Sequence, residues 1–312
     1  MRLNPHRRTP SSSVLALLLS IIVSLLASQA RASVGDKLPE FRHCVDACVH
    51  TNCAPDNPTP IPVLHRLLLW TCPAECDHTC QHIITQARQR ADQPVVQFHG
   101  KWPFTRVLGA QEPLSVLFSL GNLYAHVWGL RLVRAALPLS YPLRPYYERI
   151  GQLGVIAWTC SAVFHTRDLP VTERADYLAA GASVLYGLYY AAVRVGRLDR
   201  RHALLLQVWT LGCAAAYAMH VLYLLGWTWD YSYNMAANVA VGTAQNVLWS
   251  YFCWTMYRRL RQPWAVAPGV VVAWVVLAMS LELFDFAPLW GFVDAHCLWH
   301  LGTIAPAVIM YK

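Results

Sequence analysis

From Pro113 onward the chain runs through seven apolar segments, at about 113–133, 146–165, 175–194, 202–225, 231–256, 265–285 and 294–311. Each is close to the roughly twenty residues that cross a bilayer core of ~30 Å. Backbone in lipid has to satisfy its own hydrogen bonds, so segments of this length fold as helices. The succession predicts an all-α membrane protein with seven transmembrane helices. Composition agrees: 56% of the 312 residues are hydrophobic and 13% are charged, whereas soluble domains carry roughly 25% charge.

The formal charge of +8 raises the question of nucleic acid. The basic residues lie instead in short connections between apolar segments, which favours a topology signal over a nucleic-acid-binding patch, so no nucleic-acid partner is expected. "RLVRAALPLSYPLR", "RVGRLDRRH" and "YRRLRQ" are basic, while "TRDLPVTERAD", "GWTWDYSYN" and "DFAPLWGFVDAH" are neutral or acidic. The alternation predicts cytosolic ends for the first group and lumenal ends for the second, with the region before Pro113 in the lumen.

Residues 1–32 read as a signal peptide: Arg2, Arg7 and Arg8, an apolar run from Val14 to Ala27, and small residues at Ala30 and Ala32. An uncleaved anchor is the alternative, and it sends the following residues to the same side. Residues 33–112 form a cysteine-rich segment with six of the ten cysteines, in "CVDACVHTNC" (Cys44, Cys48, Cys53) and "CPAECDHTC" (Cys72, Cys76, Cys80). A CxxxC spacing places two thiols on one helical face, so two such helices packed antiparallel can be joined by a ladder of disulfides. Six cysteines allow fifteen pairings; the nested set is the first expectation, and sequence alone does not choose. A zinc cluster with His43, His50, His78 and His82 competes, but the secretory signal implies an oxidising compartment, which favours disulfides. Residues 113–312 are the seven-helix domain.

With this topology the ionisable residues gather at one depth. His165 ends the second segment, Asp176 begins the third, Glu282 and Asp285 end the sixth, and His296 and His300 begin the seventh. "SAVFH" puts Ser161 and His165 on one helical face, and "HCLWH" does so for His296 and His300. Three imidazoles from two helices can form one face of a tetrahedral zinc site of the His₃ kind, with a fourth position for water. Asp176, eleven residues after His165, is placed to reach that water, and Ser161 to polarise a carbonyl or hold the water. The sequence does not settle the roles of Glu282, Asp285 and Asp230; a second polar shell is the first expectation for them. His126, His202 and His220 read as ordinary interface histidines, and Cys160, Cys213, Cys253 and Cys297 as small apolar residues. "HCLWH" lacks the glutamate of HExxH, and the chain has no GxSxG elbow, so zincin protease and serine-nucleophile chemistry are disfavoured.

The SxxxH, Asp and HxxxH pattern resembles that of a superfamily of seven-span membrane proteins that includes alkaline ceramidases and adiponectin receptors. Within it, "VVQFHGKWPFTR", "FHTRDLPVTERADY", "WDYSYNMAANVAVG" and "LELFDFAPLWGFVDAHCLWH", with the six-cysteine segment, are similar to the post-GPI-attachment phospholipase family. The likeness covers about residues 40–311 and is looser in the first apolar segment. It implies Zn²⁺ on His165, His296 and His300, with Ser161 and Asp176 beside the metal. It also implies a hydrolase of the endoplasmic reticulum or Golgi membrane that removes the sn-2 acyl chain from GPI-anchored proteins. Two alternatives stay open at this point. One is a nonenzymatic receptor, chaperone or cargo receptor with a structural zinc; the other is a ceramidase-like amidase, which the cysteine-rich segment and "FHGKWPF" disfavour.

Overall fold

The computed structural model describes residues 33–54, 59–201, 203–283 and 285–312, and the expected signal peptide lies outside them. Among the described residues the protein is all-helical, with no strand and only isolated bridges such as Phe98 with Lys101 and Leu289 with Val293. Two long helices precede the apolar region, α1 (Pro39–Asn52) and α2 (Cys72–Arg90), with a short helical turn at Val63–Leu67 between them. Seven long helices follow: α3 (Pro113–Ala136), α4 (Arg144–Thr166), α5 (Pro170–Gly196), α6 (Ala203–Gly226), α7 (Tyr231–Leu260), α8 (Ala267–Leu283) and α9 (Ala295–Met310).

Each coincides with one of the apolar segments. Proline stands in the first turn of α3, α4 and α5, where its missing N–H costs nothing. Asp230 and Asp294 cap α7 and α9 by accepting from the amides of Tyr233 and Cys297. Asp230 therefore has a local structural role.

Three of these stretches are long and apolar enough to cross a membrane: Pro170–Gly196, Ala203–Gly226 and Pro263–Glu282. The others fall short for visible reasons. Buried Ser115, Ser119, Asn122 and His126 lower the hydropathy of α3, and α9 has 16 residues.

Helices α3, α4, α5, α7, α8 and α9 each pack on the next, and α9 returns to α3, closing a ring; α6 lies outside it against α5. The exposed surface of α6 is accordingly apolar, with Leu204, Val208, Leu211, Met219 and Leu222 facing outward. Polar residues collect inside the ring, the arrangement expected where the surroundings are lipid.

Helices α1 and α2 pack against each other and carry three disulfides, Cys44–Cys80, Cys48–Cys76 and Cys53–Cys72. The pairing is nested, as an antiparallel pair of helices requires. These six sulfurs are thereby unavailable to a zinc cluster. Phe41, Cys80, Ile84, Val96 and Phe98 form a small core beneath the ladder.

This disulfide-bonded unit is fastened to one end of the ring. Trp70 is held between the guanidinium groups of Arg106 and Arg167, 4.0 and 3.9 Å from its ring, and donates through Nε1 to the Gly109 carbonyl at 2.9 Å. Asp285 accepts from Gln97 at 2.9 Å and from Trp102 at 2.7 Å, so it ties the 97–102 loop to the segment between α8 and α9. Gly291 takes a left-handed conformation (φ +77°) there and accepts from the Thr105 amide at 2.9 Å. A Cβ at Gly291 would stand 2.5 Å from Thr105 Oγ1, so only glycine permits this approach.

Candidate metal centre

His165 lies at the end of α4, and His296 and His300 lie in the first two turns of α9. The ring places these helix ends together with the starts of α3 and α5 and the end of α8. One ligand atom from each histidine falls within 4.8 Å of those of the other two. His296 Nε2 is 3.3 Å from His165 Nε2 and 3.0 Å from His300 Nε2. Two nitrogens bound at about 2.0–2.1 Å to a tetrahedral ion stand ~3.3 Å apart, so the spacing fits one shared cation.

The opposite nitrogens decide the tautomers. His165 Nδ1 donates to Glu112 Oε2 at 2.7 Å and His296 Nδ1 to Glu282 Oε2 at 2.8 Å, while His300 Nδ1 pairs with Ser119 Oγ at 2.9 Å. With a proton on each Nδ1, every Nε2 presents its lone pair to the centre. This is the arrangement by which outer groups orient histidine ligands around a metal. The donor set of three neutral imidazoles suits zinc.

Ser161, 5% exposed, lies one turn before His165, and its Oγ is 3.1 Å from Ser119 Oγ. Where Ser119 accepts from His300 Nδ1, it can donate to Ser161, and the Ser161 hydroxyl proton can then turn toward the centre. Asn122 Nδ2 donates to the His300 carbonyl at 2.8 Å and fixes α9 against α3. Trp158 packs edge-on to His300 at 5.3 Å.

Glu112 is buried and shared: its other oxygen accepts from Lys101 Nζ at 2.7 Å, and Lys101 also reaches Asp168 at 3.0 Å. Burial alone would lower the Lys101 pKa, but the two carboxylates more than offset it and hold the ammonium above its usual value. Lys101 also sits 4.0 Å over the Phe164 ring, the residue before His165.

Asp176 is in the second turn of α5, at the same end of the ring. It makes no hydrogen bond or ion pair with a side chain among the described residues, and it lies within electrostatic reach of His296 and Lys101. Of the acids read as a second polar shell, Glu282 orients His296, whereas Asp285 holds the loop from the disulfide-bonded unit. Glu112, Ser119 and Lys101 were missing from the sequence reading. The depth argument that selected Asp176 and Glu282 also applies to Glu112, which directly precedes the first apolar segment; Ser119 carried no comparable signal.

Fold and site define a class: a helical membrane protein with a buried histidine centre at one end of its bundle, roofed by a disulfide-bonded unit. The sequence matches the Per1-like family over residues 62–312, and the chain belongs to that family. It is 39% identical to "Protein PER1 homolog" of Schizosaccharomyces pombe, over 92% of this chain and 87% of that one. It is 38% identical to "GPI-specific phospholipase A2-like PGAP3" of Danio rerio, over 95% and 94%, and 36% identical to "Post-GPI attachment to proteins factor 3" of Drosophila melanogaster, over 96% and 92%. No solved structure matches the chain.

Proposed function

We propose that the protein is a zinc-dependent hydrolase that removes the sn-2 acyl chain from the lipid of GPI-anchored proteins. The observation that carries the reading is the convergence of three Nε2 atoms whose Nδ1 partners are all fixed. The printed names of the relatives, a GPI-specific phospholipase A2-like protein among them, supply the substrate class. The seven helices would all span the membrane of the endoplasmic reticulum or Golgi, with residues 33–112 and the site on the lumenal side. The basic connections at the opposite ends support that orientation.

His165, His296 and His300 would hold the ion. Bound zinc supplies Lewis-acid polarisation and a water acidified to a pKa of about 7. The chain's own groups do the rest. Asp176, which has no hydrogen-bonded side-chain partner among the described residues, takes the proton released as water adds to the sn-2 carbonyl carbon. Ser161 donates its free O–H to the oxygen on which charge develops. The bond from the carbonyl carbon to the glycerol oxygen then breaks, and that oxygen receives the proton. The products are a fatty acid and a lyso lipid still attached to its protein. Glu112, Glu282 and Ser119 keep the imidazoles in the required tautomer throughout.

His296→Ala is expected to abolish acyl removal while the protein stays in the membrane. The assay is mass spectrometry of a GPI lipid incubated with purified protein. Undiminished lyso-lipid formation by the variant would sink the reading. Absence of activity in a wild-type protein that retains zinc would favour a nonenzymatic receptor or chaperone.

A further inference from the structure

Apart from the trio, one other pair of histidines among the described residues brings two Nε2 atoms to this separation. His78 and His82 lie one turn apart on α2, with Nε2 atoms 3.1 Å apart. Both also face the backbone carbonyl of Phe104, at 3.2 and 2.9 Å. The cysteines at 72, 76 and 80 engage α1. His78 and His82 are offset from them by two residues, or about 200° around the helix, and so occupy the opposite face. That face meets the 98–107 loop.

We propose that His78 Nε2, His82 Nε2 and the Phe104 carbonyl oxygen are ligands of a second site for a divalent transition metal of the zinc class, which fastens α2 to the loop that leads from Lys101 to α3. Hydrogen bonding by itself serves this triangle poorly. If both Nε2 atoms carry protons, both can reach the carbonyl, but two N–H groups then face each other at 3.1 Å. If one carries a proton, it satisfies either the carbonyl or the other ring, and two lone pairs are left in opposition. A cation among the three atoms satisfies every lone pair, and the edges of 2.9–3.2 Å lie a few tenths of an ångström below those of a tetrahedral zinc site.

Imidazole nitrogens and a carbonyl oxygen suit zinc, and a water completes the set. Arg106 is the nearby cation that would oppose a dication, but its charge is already matched. Its two terminal nitrogens bind the Glu75 carboxylate at 3.1 and 2.6 Å. The site draws on α2 and the loop, the trio on α4 and α9, so neither assignment depends on the other.

The test uses full-length protein purified in detergent, stripped with a chelator, reloaded with zinc chloride and assayed for metal content. His82→Gln is expected to bind one zinc fewer per chain than the wild type, and His300→Ala to lose a different one, so that the double variant loses both. Equal zinc content in the wild type and His82→Gln overturns the proposal. A second readout needs no variant. Zinc is expected to protect His78 and His82 of the wild-type protein from carbethoxylation by diethyl pyrocarbonate, read on peptides by mass spectrometry. Equal labelling of both with and without zinc overturns it as well. Failure at His78 and His82 leaves the hydrolase reading standing, and a trio without metal leaves this site standing.

Discussion

Glu282 offers the sharpest test of how the centre is held. Among the described residues its hydrogen bond is to the far nitrogen of His296, 2.8 Å to Nδ1, so substitution removes none of the three proposed ligand atoms. The bond is charge-assisted. Such bonds contribute roughly 1.5–3 kcal/mol, against about 0.5–1.5 kcal/mol for a neutral pair. Glu282→Gln keeps an oxygen that accepts from Nδ1 and loses only the charge, a difference of about 1–1.5 kcal/mol, or ~10-fold in metal affinity. Glu282→Ala loses the acceptor too, and the expected loss approaches ~100-fold, the upper end of what outer-shell substitutions cost. Zinc affinity is read on purified protein by competition with a fluorescent chelator, and acyl removal from a GPI lipid is followed in parallel. The expected order is wild type, then Gln, then Ala, in both measurements. Affinities that do not differ among the three would refute the idea that Nδ1 partners fix the ligands. Equal losses for Gln and Ala would refute the role assigned to the shape of the bond.

Lys101→Met strips the cation from a buried Glu112, and breaking such a pair costs roughly 3–5 kcal/mol; thermal unfolding in detergent is expected to show most of this, and far less of it in a Glu112→Gln background. Replacing Cys48 and Cys76 together by Ala removes the middle rung of the ladder. The flanking bridges already pin both sides, so the loop released is about ten residues and the expected loss is roughly 2–3 kcal/mol, read from denaturant unfolding of the 33–112 region. His99 gives the pH dependence: its bond to Asp77 (2.8 Å) raises its pKa, burial opposes this, and the charges of Asp77, Asp36 and Asp168 add to the rise. With the folded pKa above the unfolded value of about 6.5, the stabilisation is full below that value and is lost as pH rises through the folded pKa. Protease resistance of the 33–112 region is therefore expected to fall as pH rises from about 6.5 through the folded pKa in the wild type, and to fall less in His99→Gln.

What the sequence disclosed and what it hid follow one physical division. His165, His296, His300 and Ser161 were legible because spacing of four residues fixes a shared face within one helix, and depth in the membrane aligns helix ends. The shared face of each CxxxC pair was legible for the same local reason, whereas the pairing itself depends on how α1 packs on α2. Ser119 was not, because its meaning depends on α9 returning to pack on α3, a contact between the first and last apolar segments that no local period encodes. Lys101 and Glu112 stand at the junction between the cysteine-rich segment and the first span, where a residue reads equally well as loop or helix cap.

Departures from apolarity carry information of their own. The stretches apolar enough to cross a membrane, α5, α6 and the one containing α8, bring to this end of the ring Asp176 and Glu282. The more polar α3 and α4 bring Ser119, Ser161 and His165 to the same end. Helix α7 is also polar, and part of that polarity serves packing. Its Gln245 packs against Gly187 of α5, where an added Cβ would stand 2.4 Å from Oε1. Polarity inside a span thus marks either a site or a close helix contact. The glycine opposite α7 marks a contact, and the histidines of α4 and α9 mark the site.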